Sequence, residues 1–332
     1  MTSVGAGGAG SSEGSVPLVS VVLSFRNEEQ VLPELMARLS AALATAFVRY
    51  ELIFVNDSSS DDSRGLVEEC ARKDPRIKLI NMSRRFGVAE CVIAGMRHSR
   101  GDAVVMMDTD LQDPPELLPT LVGKWREGAD VVYTVRTSRQ GEPRYKVVLT
   151  RWAYRIIGAV ANLRLPVEAG DFKLLSRRVA DELMKLEEKD PYLRGLVTWI
   201  GFKQVAVPYT RAPRYGGETH FPFLRSKGPI VTFVTGLTSF SMLPLTAFLG
   251  MGAAVCLLAV MGGVWAAARA LRGEAVEPLA VGAVLLLVAG VQLVGLGMIG
   301  VYLGRVFNDV RNRPRYIVES TIGFDSDRPP KS

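Results

Sequence analysis

The sequence predicts an α/β domain with a largely parallel sheet, followed by two helices that cross a membrane. Three observations carry that prediction. Short apolar runs alternate with helix-periodic segments from Leu18 to Val135, the pattern of successive βαβ units. Acids gather just past two of those runs, at Asp57 and at Asp108, Asp110 and Asp113, where open α/β sheets place their ligands. Leu245–Ala268 and Pro278–Gly304 contain no charged residue, and each is longer than the about 20 residues a spanning helix needs.

The elements follow in order. Residues 1–16 are rich in Gly and Ser, without a basic head or an apolar core. They read as a disordered tail and not a signal peptide, which keeps the first domain on the cytoplasmic side. The expected domain covers 17–220. Leu18–Leu23 is its first strand, ending at the polar run Ser24 to Glu29. Val31–Phe47 has apolar residues at helical spacing: Leu32, Leu35, Met36, Leu39 and Leu43. Glu51–Asn56 is the second strand and a helix follows it to about Arg72. Arg76–Ile80 is the third strand, Gly87–Arg97 a helix and Ala103–Met107 the fourth strand. Leu117–Arg126 is helical and Asp130–Val135 a fifth strand. Further on, Ser176 stands where it can cap a helix from Arg177 to about Leu186, and Gln204–Val207 is another strand. Neither the glycine-rich dinucleotide fingerprint nor the phosphate loop with its lysine occurs.

Composition narrows the chemistry. Two histidines make a His-rich zinc site improbable, and His98, among Arg97, Ser99 and Arg100, reads as a surface residue. Three scattered cysteines form no disulfide framework. The net charge of +6 lies beside apolar spans, so it suits an anionic membrane better than nucleic acid.

The stretch Asp102–Glu116, DAVVMMDTDLQDPPE, is the chemical centre. A buried strand delivers Asp108 and Asp110, one residue apart, and Pro114 and Pro115 end regular structure after them. Two carboxylates at this spacing reach one hard cation such as Mg²⁺ or Mn²⁺, commonly shared with phosphates. A solvated turn is the plainer alternative. Asp57 lies on the same rim, as a hydrogen-bond acceptor for a base or ribose or as a helix cap. Asp171, after Gly170, is either an acid facing the cleft or a turn residue.

Two stretches point to the bilayer. Residues 142–161 mix Arg144, Lys146, Arg151 and Arg155 with Tyr145, Trp152 and Tyr154. This is a basic amphipathic helix for a membrane surface, or a helix packed on the sheet. Arg211 to Phe221 is a flexible basic loop whose Arg211 and Arg214 suit a diphosphate or a lipid phosphate. Residues 221–243 read as interfacial, 244–268 and 278–304 as spans, 269–277 as a short extracytoplasmic loop and 305–332 as a tail. The basic flanks, Arg225 and Lys227 before and Arg305, Arg311, Arg313 and Arg315 after, place both ends in the cytoplasm. The tail, including Tyr316 to Glu319, is expected to pack back on the domain or on a neighbouring subunit. Gly290, Gly295, Gly297 and Gly300 allow helices to approach closely.

Several separated motifs resemble the polyprenyl-phosphate glycosyltransferases of glycosyltransferase family 2. Ser24-Phe25-Arg26-Asn27-Glu28 resembles their opening segment, with Ser24 in place of proline. Asn56-Asp57-Ser58-Ser59 resembles the nucleotide-binding turn, and Ser83 to Gly87 the R-N-F-G segment, with Arg85 where Asn is usual. Asp108 to Glu116 resembles D-A-D-L-Q-x-P-P-E almost throughout. Gly170-Asp171-Phe172, Leu193-Arg194-Gly195 and Arg214 to Phe221 also fit, although Thr219, His220 and Phe221 replace Ser, Lys and Tyr. The two spans and Arg313-Pro314-Arg315-Tyr316 resemble the bacterial two-helix branch, which includes undecaprenyl-phosphate glucosyl and aminoarabinosyl transferases.

The resemblance implies a GT-A-type domain and the inverting transfer of one sugar from a nucleoside diphosphate sugar, first of all a UDP-sugar, to undecaprenyl or another polyprenyl phosphate. It implies Mg²⁺ or Mn²⁺ held by Asp108, Asp110 and Gln112. Ser24, Asn27, Glu28, Asp57, Arg85, Asp108 and Arg211 would hold the donor. Asp110, Asp171, Arg194 and Arg214 would serve the reaction, Asp171 as base or as an orienting group. The implied location is the inner membrane, the implied lipid contacts are anionic, and the implied assembly is a homo-oligomer, tetramers being known in the family. A processive polysaccharide synthase is one alternative, but it needs more spans and a Q-x-x-R-W motif that the sequence lacks. A non-catalytic nucleotide-sugar-binding protein is the other, against which the intact acidic cluster argues.

Overall fold

The computed structural model describes residues 16–139, 169–186, 188–189, 191–211, 243–273, 278–311 and 313–324. The expected surface helix at 142–161, the segment 221–242 and residues Arg214 and His220 lie outside them.

Among the described residues the strands form one eight-stranded sheet, ordered β7-β5-β6-β4-β1-β2-β3-β8. β1 (Leu18–Phe25), β2 (Arg49–Asn56), β3 (Ile77–Met82) and β4 (Ala103–Asp108) are parallel. Their near-continuous apolar sequences suit a sheet covered on both faces. One face packs on α1 (Leu32–Thr45), α2 (Ser63–Lys73) and α4 (Leu118–Arg126), the last preceded by a 3-10 turn at Pro115–Leu117. The other packs on α3 (Val88–His98), α5 (Arg177–Lys185) and α6 (Leu193–Trp199).

The flanks depart from the parallel scheme. β6 (Ala169–Ser176) runs antiparallel between β4 and β5 (Val131–Arg139), and β7 (Gln204–Arg211) lies parallel to β5 at the edge. Arg211 therefore ends a strand and does not belong to a loop. Ser176 occupies the position before α5 but caps nothing; its hydroxyl donates to Asp130 Oδ1 at 3.2 Å.

The register sets the functional rim. Ser24 pairs with Asp108 on one side and Val55 on the other, and Phe25 pairs with Asn56, which pairs with Asn81. The carboxyl ends of the parallel strands thus finish level. Asn27, Ser58 and Leu111, one in each of three rim turns, hold left-handed backbone with φ of 55°, 57° and 56°. Such conformations cost side-chain-bearing residues about 1–3 kcal/mol and cluster at sites.

α7 (Leu243–Leu271) and α8 (Pro278–Val310) are the two long apolar helices. Their candidate spans, Leu245–Arg269 and Leu287–Val310, have mean hydropathies of 2.2 and 1.9, and none of either window is buried. A helix apolar all round and bare of protein needs an apolar solvent. α8 runs on past the expected end at Gly304. Of its glycines Gly295 faces α7: an added Cβ would stand 3.7 Å from Phe248 Cδ1.

After α8 the chain returns to the domain. Lys189 Nζ donates to Arg313 O at 2.8 Å, and Arg315 donates to Leu186 O. β8 (Val318–Ile322) then pairs antiparallel with β3, and Phe324 meets the edge of the His98 ring at 5.3 Å between centroids. His98 is consequently half-buried, its Nδ1 2.8 Å from Ala94 O, and not the surface residue its neighbours suggested.

Candidate active site

The acidic turn is built by one apolar anchor. Leu111 is buried at 2% exposure in the core beneath the rim, which fixes the residues on either side of it. Thr109 Oγ1 donates to Ser24 O at 3.2 Å, and Gln112 N donates to Asp110 Oδ1 at 3.1 Å. Asp108, Asp110 and Asp113 are thereby held together. Burial, then the charges of Asp171, Asp110 and Asp113, push the Asp108 carboxyl up to about 7.

Cations come from the outer strands. Arg211 Nη2 lies 3.9 Å from Asp110 Oδ2, and its Nε lies 3.8 Å from Asp113 Oδ1. Tyr209 donates its hydroxyl to Asp113 Oδ1 and accepts from Arg136 Nε at 3.2 Å. Burial, then the Asp113 charge, push the Tyr209 hydroxyl up to about 12. Asp113 Oδ2 is buried without a hydrogen-bond partner. Gly170 lies against this corner: an added Cβ would stand 3.2 Å from Thr134 Oγ1, a tight contact, and in ordinary contact with Arg136 and Tyr209.

Asp171 is a residue of β6, two before Lys173 on the same strand face. Arg194 of α6 grips it from above through two hydrogen bonds, Nε to Oδ1 at 2.6 Å and Nη2 to Oδ2. Burial opposes the Asp171 charge, but Arg194 outweighs it, aided by Lys173 and Arg136, and holds the carboxyl far below its usual range. Lys173 is 4% exposed, and burial brings its ammonium down to about 8 against the pull of Asp171.

The other half of the rim is held largely by hydrogen bonds between its own turns. Asp57 caps no helix: its carboxylate accepts from Phe86 N at 2.7 Å and Gly87 N at 3.1 Å, fixing the turn between β3 and α3. Asn27 crosses to the β2–α2 turn, its Oδ1 accepting from Ser60 N at 2.8 Å and its Nδ2 donating to Ser60 Oγ at 3.1 Å. Glu28 is buried, and its backbone N donates to Ser63 Oγ at 2.8 Å. Ser24 is buried in β1, whereas Arg85 is exposed on the turn that Asp57 holds.

The expected residues thus fall into two groups on one rim: Asp108, Asp110, Gln112, Asp171, Arg194 and Arg211 on one side, Ser24, Asn27, Glu28 and Asp57 on the other. Comparison with known proteins identifies the assembly. The description "Glycosyl transferase family 2" matches residues 20–184. An uncharacterized glycosyltransferase of Bacillus subtilis, YkcC, is 38% identical over 93% of this chain and 95% of its own length. The chain belongs to glycosyltransferase family 2.

Other relatives of this glycosyltransferase carry substrate names. The prophage bactoprenol glucosyl transferase homolog of Escherichia coli is 32% identical, covering 91% of this chain and 98% of that one. The undecaprenyl-phosphate 4-deoxy-4-formamido-L-arabinose transferase of Klebsiella pneumoniae is 33% identical over 92% and 94%. The fold is of the GT-A type, one α/β domain with a mostly parallel sheet and two apolar helices after it.

The structure also brings to the site residues that sequence reasoning passed over: Arg136, Lys173 and Tyr209, with Asp113 named only as part of the acidic run. The visible signal was a lysine inside the apolar strand Phe172–Leu175. Among the described residues no three His, Cys, Asp or Glu side chains form a ready metal cage. The donor chemistry nonetheless fits a hard cation. Carboxylates crowd one another at Asp108, one buried oxygen of Asp113 lacks a partner, and Mg²⁺ commonly takes one or two carboxylates with phosphates completing its shell.

Proposed function

We propose that this glycosyltransferase moves one sugar from a nucleoside diphosphate sugar, with UDP the favoured nucleotide, onto a polyprenyl phosphate at the membrane surface. The observation that carries the reading is the shared rim. α8 ends beside the α5–α6 connection, where Lys189 N donates to Asp309 Oδ1 at 3.4 Å, and α6 supplies Arg194 to the acidic cluster. A lipid phosphate at the bilayer surface is then within reach of the reacting residues. The relatives named for bactoprenol and undecaprenyl phosphate support the same acceptor class.

In this mechanism an acceptor phosphate oxygen bonds to the anomeric carbon as the bond from that carbon to the diphosphate breaks. The nucleoside diphosphate leaves and the configuration inverts. Asp108 and Asp110, with Gln112, would hold Mg²⁺ or Mn²⁺. When bound, the ion offsets negative charge on the leaving diphosphate. Arg211 stands above the same carboxylates and meets the diphosphate with them. Ser24, Asn27, Glu28, Asp57 and Arg85 frame the nucleoside. Arg194 and Arg136 draw the acceptor phosphate in, and Arg214, outside the described residues, is assigned the same task. Asp171 orients the sugar; bound by Arg194 it is a poor base, and an ionised phosphate needs none.

The domain faces the cytoplasm, by the basic flanks of the spans, and anionic lipids surround the chain, which works as a homo-oligomer. Protease accessibility in sealed inverted vesicles checks the side, and mass measurement in nanodiscs checks the assembly. The decisive assay incubates the purified protein with polyprenyl phosphate and a panel of UDP- and GDP-sugars. A glycosyl phosphoryl lipid of inverted configuration is expected. Transfer to soluble acceptors with none to polyprenyl phosphate would reject the reading.

A further inference from the structure

We infer that the C-terminal strand β8 belongs to the donor site, with Ser320 positioning the β2–α2 turn through a directional chain of two buried amides. This rests on the reading of that turn as part of the nucleoside site. Asn81 Nδ2 donates to Ser320 Oγ at 3.0 Å, across the pair Asn81 and Ser320 in the β3–β8 register. Asn56 Nδ2 donates to Asn81 Oδ1 at 3.0 Å, and Asn56 Oδ1 accepts from Ser59 N at 2.9 Å. Ser59 Oγ in turn accepts from Asn27 N at 3.1 Å. Asn81 is fully buried and Asn56 is 3% exposed.

A side-chain amide has a donor end and an acceptor end, so such a chain has a direction. The backbone N–H of Ser59 can only donate, so Asn56 presents its carbonyl there and its NH₂ to the carbonyl of Asn81. Asn81 is then left with its NH₂ facing β8, where Ser320 Oγ accepts it. The bond from Ser59 N to Asn56 holds the turn next to Ser58, whose left-handed φ of 57° is strained for serine. The same turn presents Asp57. Without Ser320 Oγ the buried donor of Asn81 loses its acceptor. Rotating the Asn81 amide to find another would set its NH₂ against the NH₂ of Asn56, donor to donor. Either response loosens the turn that frames the nucleoside, while the acidic turn after β4 stays as it is. Ser320 is thus a positioning residue, 239 positions from Asn81 in sequence and on the far side of both membrane helices.

The test titrates full-length protein in nanodiscs with UDP, and in parallel with GDP, in the presence of Mn²⁺. Ser320→Ala should weaken nucleotide binding about three- to tenfold, the loss of one buried hydrogen bond. In the transfer assay it should raise the donor KM by the same factor and leave kcat within about twofold. Ser320→Thr keeps the oxygen and should restore binding. Thr321→Ala, on the exposed face of the same strand, should match the unaltered chain and controls for loss of strand stability. Equal binding by Ser320→Ala and the unaltered chain would overturn the inference, and so would equal weakening by Thr321→Ala. If the unaltered chain bound neither nucleotide, the functional reading itself would fall, and this inference with it.

Discussion

The two halves of the rim differ in how their polar groups are satisfied. On the β1–β2–β3–β8 side, Asn27, Asn56, Asp57 and Asn81 hydrogen-bond to neighbouring backbone and side chains. On the β4–β6–β5–β7 side, four acids crowd together, Asp108 is pushed up to about 7, and a buried oxygen of Asp113 has no partner. The first half is held largely by these hydrogen bonds, and the second is electrostatically incomplete, with Asp110, Asp113 and Asp171 gathered around Asp108. Crowded carboxylates gain from a cation and a ligand that share the site. On the function proposed above, the hydrogen-bonded half frames the nucleoside and the incomplete half handles charge that moves during reaction.

The largest expected effect lies in the incomplete half. Asp110→Ala should insert in membranes normally and lose transfer by about 10²–10³-fold, the scale for removing a group that stabilises developing charge. Near-normal turnover would erase the distinction between the halves. Next come Asp171→Asn and Arg194→Ala. Each leaves one member of a bidentate pair without its partner and should lower transfer about tenfold to a hundredfold. The double variant should be little worse than either single one, since the two act as a unit. Additive losses in steady-state assays would separate their roles.

A structural pair at the opposite end of the strands sharpens the comparison by having no place at the rim. Glu51 accepts from Lys78 Nζ at 2.6 Å and from Ser20 Oγ at 2.5 Å, with Arg100 N at 2.7 Å. Burial opposes its charge, but these partners outweigh it and hold the carboxyl below its ordinary value of 4.5. A depressed carboxyl contributes stability at pH values above its unfolded value, lost as the pH falls through the folded one. Thermal melting of the unaltered protein should therefore drop below about pH 4.5 more steeply than that of the double variant Glu51→Gln, Lys78→Met. Lys78→Met alone should cost about 3 kcal/mol at neutral pH by stranding a buried charge. Parallel melting profiles for the unaltered and double-variant chains would refute the linkage. Phe324→Ala, removing the ring beside His98 and Lys78, should lower stability by about 1–2 kcal/mol with kcat unchanged.

The central strands could be read from the sequence because a strand buried on both faces is a continuous apolar run, as in Val19–Leu23 and Val104–Met107. The acids could be read because the chain breaks directly after such runs. The layer beside them was legible only in part: Arg211 stood out as a basic residue suited to a diphosphate, whereas Arg136 and Tyr209 did not. All three approach Asp110 and Asp113 only because β5 pairs with β7, across the segment that carries β6. Asn81 and Ser320 meet only because β8 returns past two membrane helices. Spacing along a chain carries no trace of such meetings. Asp57 was located correctly on the rim, but its engagement by Phe86 N and Gly87 N depends on a turn whose path periodicity does not describe.

The most direct measurement of the contrast is nucleotide affinity as a function of divalent metal. Calorimetric titration of the full chain with UDP should show binding at least about tenfold tighter with Mn²⁺ than with chelator, and Asp108→Asn should remove that difference. Equal affinity with and without the metal would contradict the claim that the acidic half is completed by a cation and a diphosphate together.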